Sequence, residues 1–555
     1  MTESNTGTEA LSSGIAGTPQ LAVERALRAA ARAGNRMLAG GVASVELSDP
    51  TQRDLLHTAL QRMGVRTAPA AHPTVEFAFA DTAGIDARPA GAETRAAAQS
   101  QAGALPPVRV GLDGSLASPR AASAEARIAW AAQGMPATAQ LAQTLAEATG
   151  DHAPRIAVSL VLEPKTAAFT LALADAGCEV AVFSAVSETD PEVAAALAAT
   201  GRVAVFAPTT ALAADDEDSA RTVREYDARH AAAVLAWRPE LLIDDGSHLI
   251  RLAHTEQPEA LVTLRAAAEE TTSGVRPLHE MAADGELQIP VIAVNDARTK
   301  TGFDNLIGTG QSCVFALADV WDAADPHYAG LSGTRWAVLG YGPVGQGVAR
   351  FAAALGARIT VVEPDPVRAL AALHDGFDAQ PSERALPEAD VVVSATGVWH
   401  TLDAAGFALL RPGTIVAVAG GIDDELALDT LAETGWTHRS RGARVAEWLA
   451  PGADAGPLVL AEGGGVNYSA AEGNPIEVMD LSFATQLAAL LRLLETPLPP
   501  GVHALSVAEE ERVARAALNA RGGAPARPVR SDRAGGAAQP WRVHRYRSRA
   551  DAPRG

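Results

Sequence analysis

The segment Trp336-Ala337-Val338-Leu339-Gly340-Tyr341-Gly342-Pro343-Val344-Gly345-Gln346-Gly347 is an apolar strand running into a Gly-x-Gly-x-x-Gly turn. A helix is expected from Val348 to about Leu355, then a second strand, Ile359 to Val362, ending on Glu363. Glycine suits Gly340, Gly342 and Gly345 because the backbone must curl tightly and approach a pyrophosphate with no Cβ in the way. The helix N-terminus behind Pro343 and Val344 offers free N–H groups to the phosphates. Glu363 lies about twenty residues beyond the first glycine, where a carboxylate accepts both ribose hydroxyls of an adenosine and repels a 2′-phosphate. Strand, glycines, helix, strand and acid in register point to NAD rather than NADP.

Working outward, later strands of the same unit are Asp390 to Gly397, which brings Thr396 and Gly397 to its end, and Ile415 to Gly421. Upstream, buried strands alternate with helices from about Pro106: Ile156 to Leu162, Glu179 to Phe183, Val203 to Phe206, and Leu241 to Gly246. The carboxyl end of a strand in an open α/β sheet is where ligands bind, which singles out Asp244-Asp245-Gly246; a plain Asp-Gly turn accounts for the same residues. In Glu269-Glu270-Thr271-Thr272-Ser273-Gly274-Val275, carboxylate and hydroxyls suit a vicinal diol, and a helix cap accounts for them equally. The pattern places a doubly wound α/β domain before the dinucleotide-binding unit.

Composition narrows the function. At 555 residues the chain exceeds a single core, and 45 basic against 66 acidic side chains gives a formal charge of −21, which disfavours a nucleic-acid partner. Cys178 and Cys313 can build neither a disulfide framework nor a four-cysteine zinc site, so no metal is expected and a reducing cytoplasm is. No run approaches the ~18–20 apolar residues of a membrane span. Ahead of Pro106, Leu21 to Leu38 reads as an amphipathic helix, Val42 to Leu47 as a strand, and Asp49-Pro50 as the start of a helix with Leu55, Leu56, Leu60 and Met63 on one face. Val75, Phe77 and Phe79 alternate as a strand. A polar leader precedes this stretch, an Ala/Gly-rich linker over 83–105 follows it, and it reads as a small α/β appendage of its own or, more simply, as a surface elaboration without chemistry.

Together these motifs resemble the S-adenosylhomocysteine hydrolase (adenosylhomocysteinase) family. The resemblance runs from about Pro106 to the C-terminus. It rests on Asp244-Asp245-Gly246, Glu269 to Val275, Asn295-Asp296 with Thr299-Lys300, Phe303-Asp304-Asn305-Leu306, Gly340-Tyr341-Gly342, and Ala461-Glu462-Gly463 with Val466-Asn467. It implies a substrate domain (106–315), a Rossmann domain binding NAD (316–472), a return to the substrate domain (473–499), and a C-terminal helix and basic tail (500–555), after an N-terminal extension (1–105). A nucleoside-type substrate and a homotetramer are implied too. The implied chemistry is oxidation of the ribose 3′-hydroxyl, which acidifies the 4′-hydrogen, then elimination of the 5′-substituent, addition of water and reduction. Glu270 and Thr272 would hold the ribose hydroxyls, Lys300 and Asp304 would sit at the 3′-oxygen, and Asp245 near C4′ and C5′. Lys300 would act as base with its pKa lowered by a nearby nicotinamide. Thr271, Thr272, Ser273, Asn305, Asn467 and, from a neighbouring subunit's tail, Arg542 and Tyr546 would contact the cofactor.

The departures concentrate on the second half of that chemistry. Where the family has His-x-Thr-x-Glu-Thr, this chain has Val161-Leu162-Glu163-Pro164-Lys165-Thr166. Glu163 and Lys165 thus replace the Thr and Glu that help hold the adenine. The family's Gly-His pair is Gly420-Gly421, its Gly-His-Pro is Gly473-Asn474-Pro475, and its cysteine near the nicotinamide is Thr309. Glu163 and Asn474 are therefore expected to face substrate. Valine and glycine carry no proton, and losing a general acid or base costs about 10²–10⁴ in rate. His248, just beyond Asp245, is either a substitute proton carrier or a surface histidine. Three readings follow: ribose oxidation with a different second step (dehydration, epimerisation or carbon–carbon bond chemistry), an ordinary S-adenosylhomocysteine hydrolase, or a non-catalytic NAD-binding homologue.

Overall fold

A computed structural model describes residues 18–83, 105–118, 120–150, 152–212, 217–420 and 424–526. The leader, most of the 83–105 linker, Gly421, Arg542 and Tyr546 lie outside the described residues. The chain is a mixed α/β protein with three sheets.

The domain expected to hold substrate, called the substrate domain below, contains an all-parallel seven-stranded sheet ordered Gly501–His503, Pro290–Ala293, Ala266–Glu269, Leu241–Asp244, Arg155–Ser159, Glu179–Phe183, Ala204–Phe206. Strand order reverses between Arg155–Ser159 and Leu241–Asp244, so their carboxyl ends splay apart and leave a crevice at Val161 and Asp245. Its inner strands are buried on both faces, hence their unbroken apolar runs. The dinucleotide domain has eight strands. Six are parallel: Asp378–Ala379, Arg358–Val362, Arg335–Leu339, Val391–Ser394, Ile415–Val418 and Leu458–Leu460. Val445–Leu449 and Thr437–Gly442 close that edge antiparallel. Its reversal point lies between Arg335–Leu339 and Val391–Ser394, directly above Gly340 and Thr396. The helix after the glycine turn starts earlier than expected, at Pro343, because proline is favoured at the first helical position.

Two boundaries differ from the sequence reading. Val108–Gly111 does not open the substrate domain at 106: it pairs with Phe77–Ala80, and Leu116–Ala117 turns back on it. A five-stranded N-terminal sheet results, ordered Arg66–Thr67, Val42–Glu46, Phe77–Ala80, Val108–Gly111, Leu116–Ala117. At the other end, Gly501–His503 adds an edge strand to the substrate sheet, and helix Val507–Ala520 packs on that domain through Val513 and Ala516. The substrate domain therefore reclaims the chain beyond residue 499.

Nor is the N-terminal unit a surface elaboration. Leu27, Leu38, Leu56, Leu60 and Phe77 are fully buried in one core shared with Phe315, Phe351 and Val348 of the dinucleotide domain. Each such side chain contributes roughly 1.5–3 kcal/mol. Helix Pro19–Gly34 also pairs Arg28 with Asp319 and Asp322 of helix Thr309–Ala324, Arg28 Nη2 lying 2.7 Å from Asp322. The buried helix Ile476–Glu495 fills the substrate-domain core, where Phe483 stacks on Phe169 at 4.5 Å.

Candidate active site

A cleft of about 1200 Å³ runs between the two large domains, from Val161 and Asp245 to Gly342 and Glu363. At its centre stands Lys300, whose Nζ lies 2.9 Å from Asp304, 3.4 Å from Glu270 and 2.7 Å from Asn305 Oδ1. Lys300, Asp304 and Glu270 are all buried. Burial alone would lower the Lys300 pKa, but Asp304, Glu270 and Asp245 outweigh it and hold the ammonium above its ordinary value. The chain's own groups thus act opposite to the lowering expected of a nearby nicotinamide, because three carboxylates face the ammonium. Burial raises the Glu270 carboxyl to about 7 despite Lys300, and burial likewise raises Asp245.

The backbone accounts for this clustering. Over Asp304–Gly308 the chain widens into a single π turn, with Gly308 N donating to Phe303 O at 2.9 Å. Such turns interrupt a helix and re-aim side chains, and they recur at functional sites. Opposite it, helix Ile476–Glu495 turns polar residues inward: Ser482 donates to Asp304 at 3.1 Å, Thr485 bonds Thr299 at 2.9 Å, and Gln486 Nε2 donates to Glu270. Sequence reasoning missed these three. Their spacing of three and four within the otherwise apolar, buried stretch Leu481 to Leu491 was the available signal.

Neighbouring acids differ in role. Glu269 accepts from Gly246 N (3.0 Å), Ser247 N (2.8 Å) and Thr271 Oγ1 (2.7 Å), and Asp244 accepts from Ile250 N (2.9 Å). Both hold the loop and neither lines the cleft, which Asp245 and Glu270 face. Thr271 caps helix Thr272–Ala283, Ser273 bonds Thr271 at 3.2 Å, and Thr272 donates to Asn295 Oδ1 at 3.1 Å. Asn305 Nδ2 reaches the same Asn295 oxygen at 2.9 Å.

Two residues expected to face substrate are engaged by the chain itself. Asn474 donates to Asp304 Oδ1 (2.6 Å) and Thr309 Oγ1 (2.9 Å) and accepts from Ser312 (2.7 Å) and Asn467 (3.2 Å), so its amide is fully used. Glu163 caps helix Pro164–Asp175 and pairs with the buried Lys165 ammonium at 2.6 Å. Val161 lines the cleft with Asp245 and His248. His248 is exposed, with Nδ1 3.1 Å from Arg251 Nη2.

The nucleotide end fits NAD. Gly340 has φ +89°, and a Cβ there would press on Ala395 O and Thr396 at 3.0 Å. A Cβ at Gly345 would overlap the Gly340 carbonyl, whereas one at Gly342 would meet only Arg368 Nη1 at 3.9 Å, so that side of the turn is open. Glu363 is aimed by accepting from Tyr341 N (2.6 Å) and Asp365 N (2.9 Å). Gly397 N and Thr396 Oγ1 donate to Glu425 at 3.0 Å each, and this buried acid gave no signal in sequence. Asn467 Oδ1 is buried beside Gly420 with no hydrogen-bond partner among the described residues, an acceptor suited to a carboxamide N–H.

The comparisons with known proteins agree with that fit. The family described as "S-adenosyl-L-homocysteine hydrolase, NAD binding domain" matches residues 312–473. The adenosylhomocysteinase of Thermotoga maritima is 36% identical over 402 residues, covering 72% of this chain and 95% of the relative. The chain belongs to the adenosylhomocysteinase family. The S-inosyl-L-homocysteine hydrolase of Methanopyrus kandleri is 36% identical, covering 71% of this chain and 90% of the relative. The adenosylhomocysteinase of Thermococcus kodakarensis is 37% identical, covering 72% and 92%. NAD is the cofactor that the family match and the open glycine turn indicate together. Among the described residues of this family member, no helix is long and apolar enough to cross a membrane.

Proposed function

We propose that this protein uses NAD to oxidise the ribose 3′-hydroxyl of a nucleoside-type substrate, removes the C4′ proton, and completes the reaction by a second step other than ordinary hydrolysis of S-adenosylhomocysteine. The observation that carries this is the contrast across one cleft. Lys300, Asp304, Glu270 and Asn305 form a complete polar cluster, while Val161 lines the same cleft, and Asn474 is saturated by Asp304, Thr309, Ser312 and Asn467.

Bound NAD supplies the hydride acceptor for the carbinol and the hydride that restores it. Glu270 accepts from a ribose hydroxyl, and Thr272 orients beside it. Lys300 is a donor to the 3′-oxygen while its three carboxylates dominate; a positive charge entering the cleft offsets them and lets its amine accept the hydroxyl proton. Asp304, held by Asn474 and Ser482, fixes the ammonium. Asp245, which lines the same cleft, takes or relays the 4′-proton, which the adjacent ketone makes acidic. With Val161 in the wall, protonation of a departing 5′-substituent falls to a group other than a histidine at that position.

The relatives favour a second reading, ordinary release of homocysteine, with His248 as the proton carrier on the cleft wall. The relatives also differ among themselves in the base, adenine in some names and hypoxanthine in others, and Glu163 with Lys165 leaves the base open. Mixing the purified protein with adenosine, S-adenosylhomocysteine, S-inosylhomocysteine and 5′-modified nucleosides, while following nicotinamide absorbance and product mass, tests the proposal. Reduction without homocysteine release is the expected result; rapid homocysteine release overturns it.

A further inference from the structure

The turn that ends the first helix takes no part in the chemistry above, yet it is bonded to the loop that carries Asn474. Helix Pro19–Gly34 stops at Asn35, which is left-handed at φ 48°. Asn35 Nδ2 donates to the Glu472 carbonyl at 2.9 Å, and Lys165 Nζ donates to the same oxygen at 2.9 Å. The Glu472 carboxylate is gripped by Arg120 Nη1 at 2.8 and 2.9 Å. On the far side of Asn474, Ile476 N donates to Asn35 O at 3.0 Å, and Met37 N donates to Glu477 at 2.8 Å. Arg36 pairs with Glu477 and with Glu76. The turn also reaches Gln311, which accepts from Leu38 N (2.9 Å) and donates to Arg36 O (3.0 Å), two residues beyond the Thr309 that Asn474 bonds.

Gly473, at φ +72°, would let the loop swivel freely were it not tied on both sides. The tied loop delivers the Asn474 amide to Asp304 Oδ1, and Asp304 Oδ2 then faces Lys300. We infer that Asn35 and Arg120 of the N-terminal unit are positioning residues: they fix the 472–477 loop so that Asn474 orients Asp304 against Lys300. The link to catalysis rests on the proposal that Lys300 and Asp304 handle the ribose oxygen; the clamp itself does not.

The test uses the full-length protein with its bound cofactor. Asn35→Gly removes the amide and keeps a backbone that accepts the left-handed conformation; Arg120→Met removes the grip, and Arg120→Lys restores the charge. Arg32→Ala, which deletes an ion pair from exposed Arg32 of the same N-terminal helix to Asp319 of helix Thr309–Ala324, is the control. Hydrogen–deuterium exchange should quicken about three- to tenfold in 466–478 and 304–312 for Asn35→Gly and Arg120→Met, the loss expected from one or two hydrogen bonds. The strands Arg335–Leu339 and Leu241–Asp244 should stay unchanged, as should every segment of the control. Nucleoside-driven cofactor reduction should slow by a similar factor at unchanged KM, with Arg120→Lys recovering part of both effects. Unchanged exchange in the two segments, or an even rise across all three sheets, overturns the inference. If the exchange pattern is as expected but no nucleoside reduces the cofactor, the clamp stands and the proposed chemistry is what fails.

Discussion

Two glycines of one turn should respond oppositely to the same methyl group. At Gly342 a Cβ meets only Arg368 Nη1 at 3.9 Å, so Gly342→Ala should leave the cofactor-free protein as stable as its parent. The new methyl instead stands where the pyrophosphate must approach backbone. Overpacking by one carbon costs about 1–3 kcal/mol, or roughly 5- to 150-fold in Kd for NAD. At Gly345 the methyl collides with the Gly340 carbonyl, which the turn itself holds in place. There the fold carries roughly 3 kcal/mol, a loss of about 6–12 °C in Tm for a domain of this size. Thermal melts of cofactor-stripped protein, repeated over a series of added NAD concentrations, separate the two effects through linkage. Gly342→Ala should melt with the parent when stripped and gain less from each NAD addition. A Gly342→Ala protein that takes up NAD as tightly as the parent would refute the reading of the turn as the pyrophosphate site.

Gln486→Leu removes a donor to the buried Glu270 and should lower stability by about 1.5–3 kcal/mol, the worth of a hydrogen bond to a charged group, read from denaturant melts. It should also raise the Glu270 pKa further, shifting the pH dependence of cofactor reduction upward. Lys165→Met strands Glu163 in the interior and should cost about 3–5 kcal/mol, while Lys165→Met with Glu163→Gln should recover most of that, a double-mutant comparison by thermal melt. Asp244 and Glu270, raised to about 7, and Asp480, raised to about 6, bind protons in the folded protein that the unfolded chain has already released. Their contribution is complete below pH ~4 and is lost as pH rises through 6 to 7, each group falling by at most about 1.4 kcal/mol for every step of one in pH. Melts across pH 4 to 8 should show that decline from these groups, reduced in Asp480→Asn.

Much of the dinucleotide domain could be read from sequence because its signals are local. A strand, three glycines and an acid sit within thirty residues, and each is placed by backbone rules that need no partner. The cluster around Lys300 was legible only through resemblance, since nothing in Thr299-Lys300 or Phe303-Asp304-Asn305 alone says that they converge with Glu270. Glu163 and Asn474 both line the cleft, yet their bonds within the chain were not legible in sequence. Asn474 is engaged by Asp304, Thr309 and Ser312, more than 160 residues away in sequence, whereas Glu163 is engaged by Lys165 only two residues on, whose ammonium is itself anchored by the distant Glu472 carbonyl. The N-terminal unit did mislead: its strands are short and its helices ordinary, and the face it buries belongs to a helix about three hundred residues downstream.

The edge strand Gly501–His503 and the core helix Ile476–Glu495 also set the order in which the protein can mature. The dinucleotide sheet is contiguous from Arg335 to Leu460, so it can close while later residues are still being added. The substrate sheet begins at Arg155 yet lacks its central helix until Glu495 and its last strand until His503. During synthesis the apolar surface this helix later covers, Phe169 included, must wait through the production of an entire neighbouring domain. The substrate half is thus the aggregation-prone stage of biogenesis, and the half on which chaperones would act.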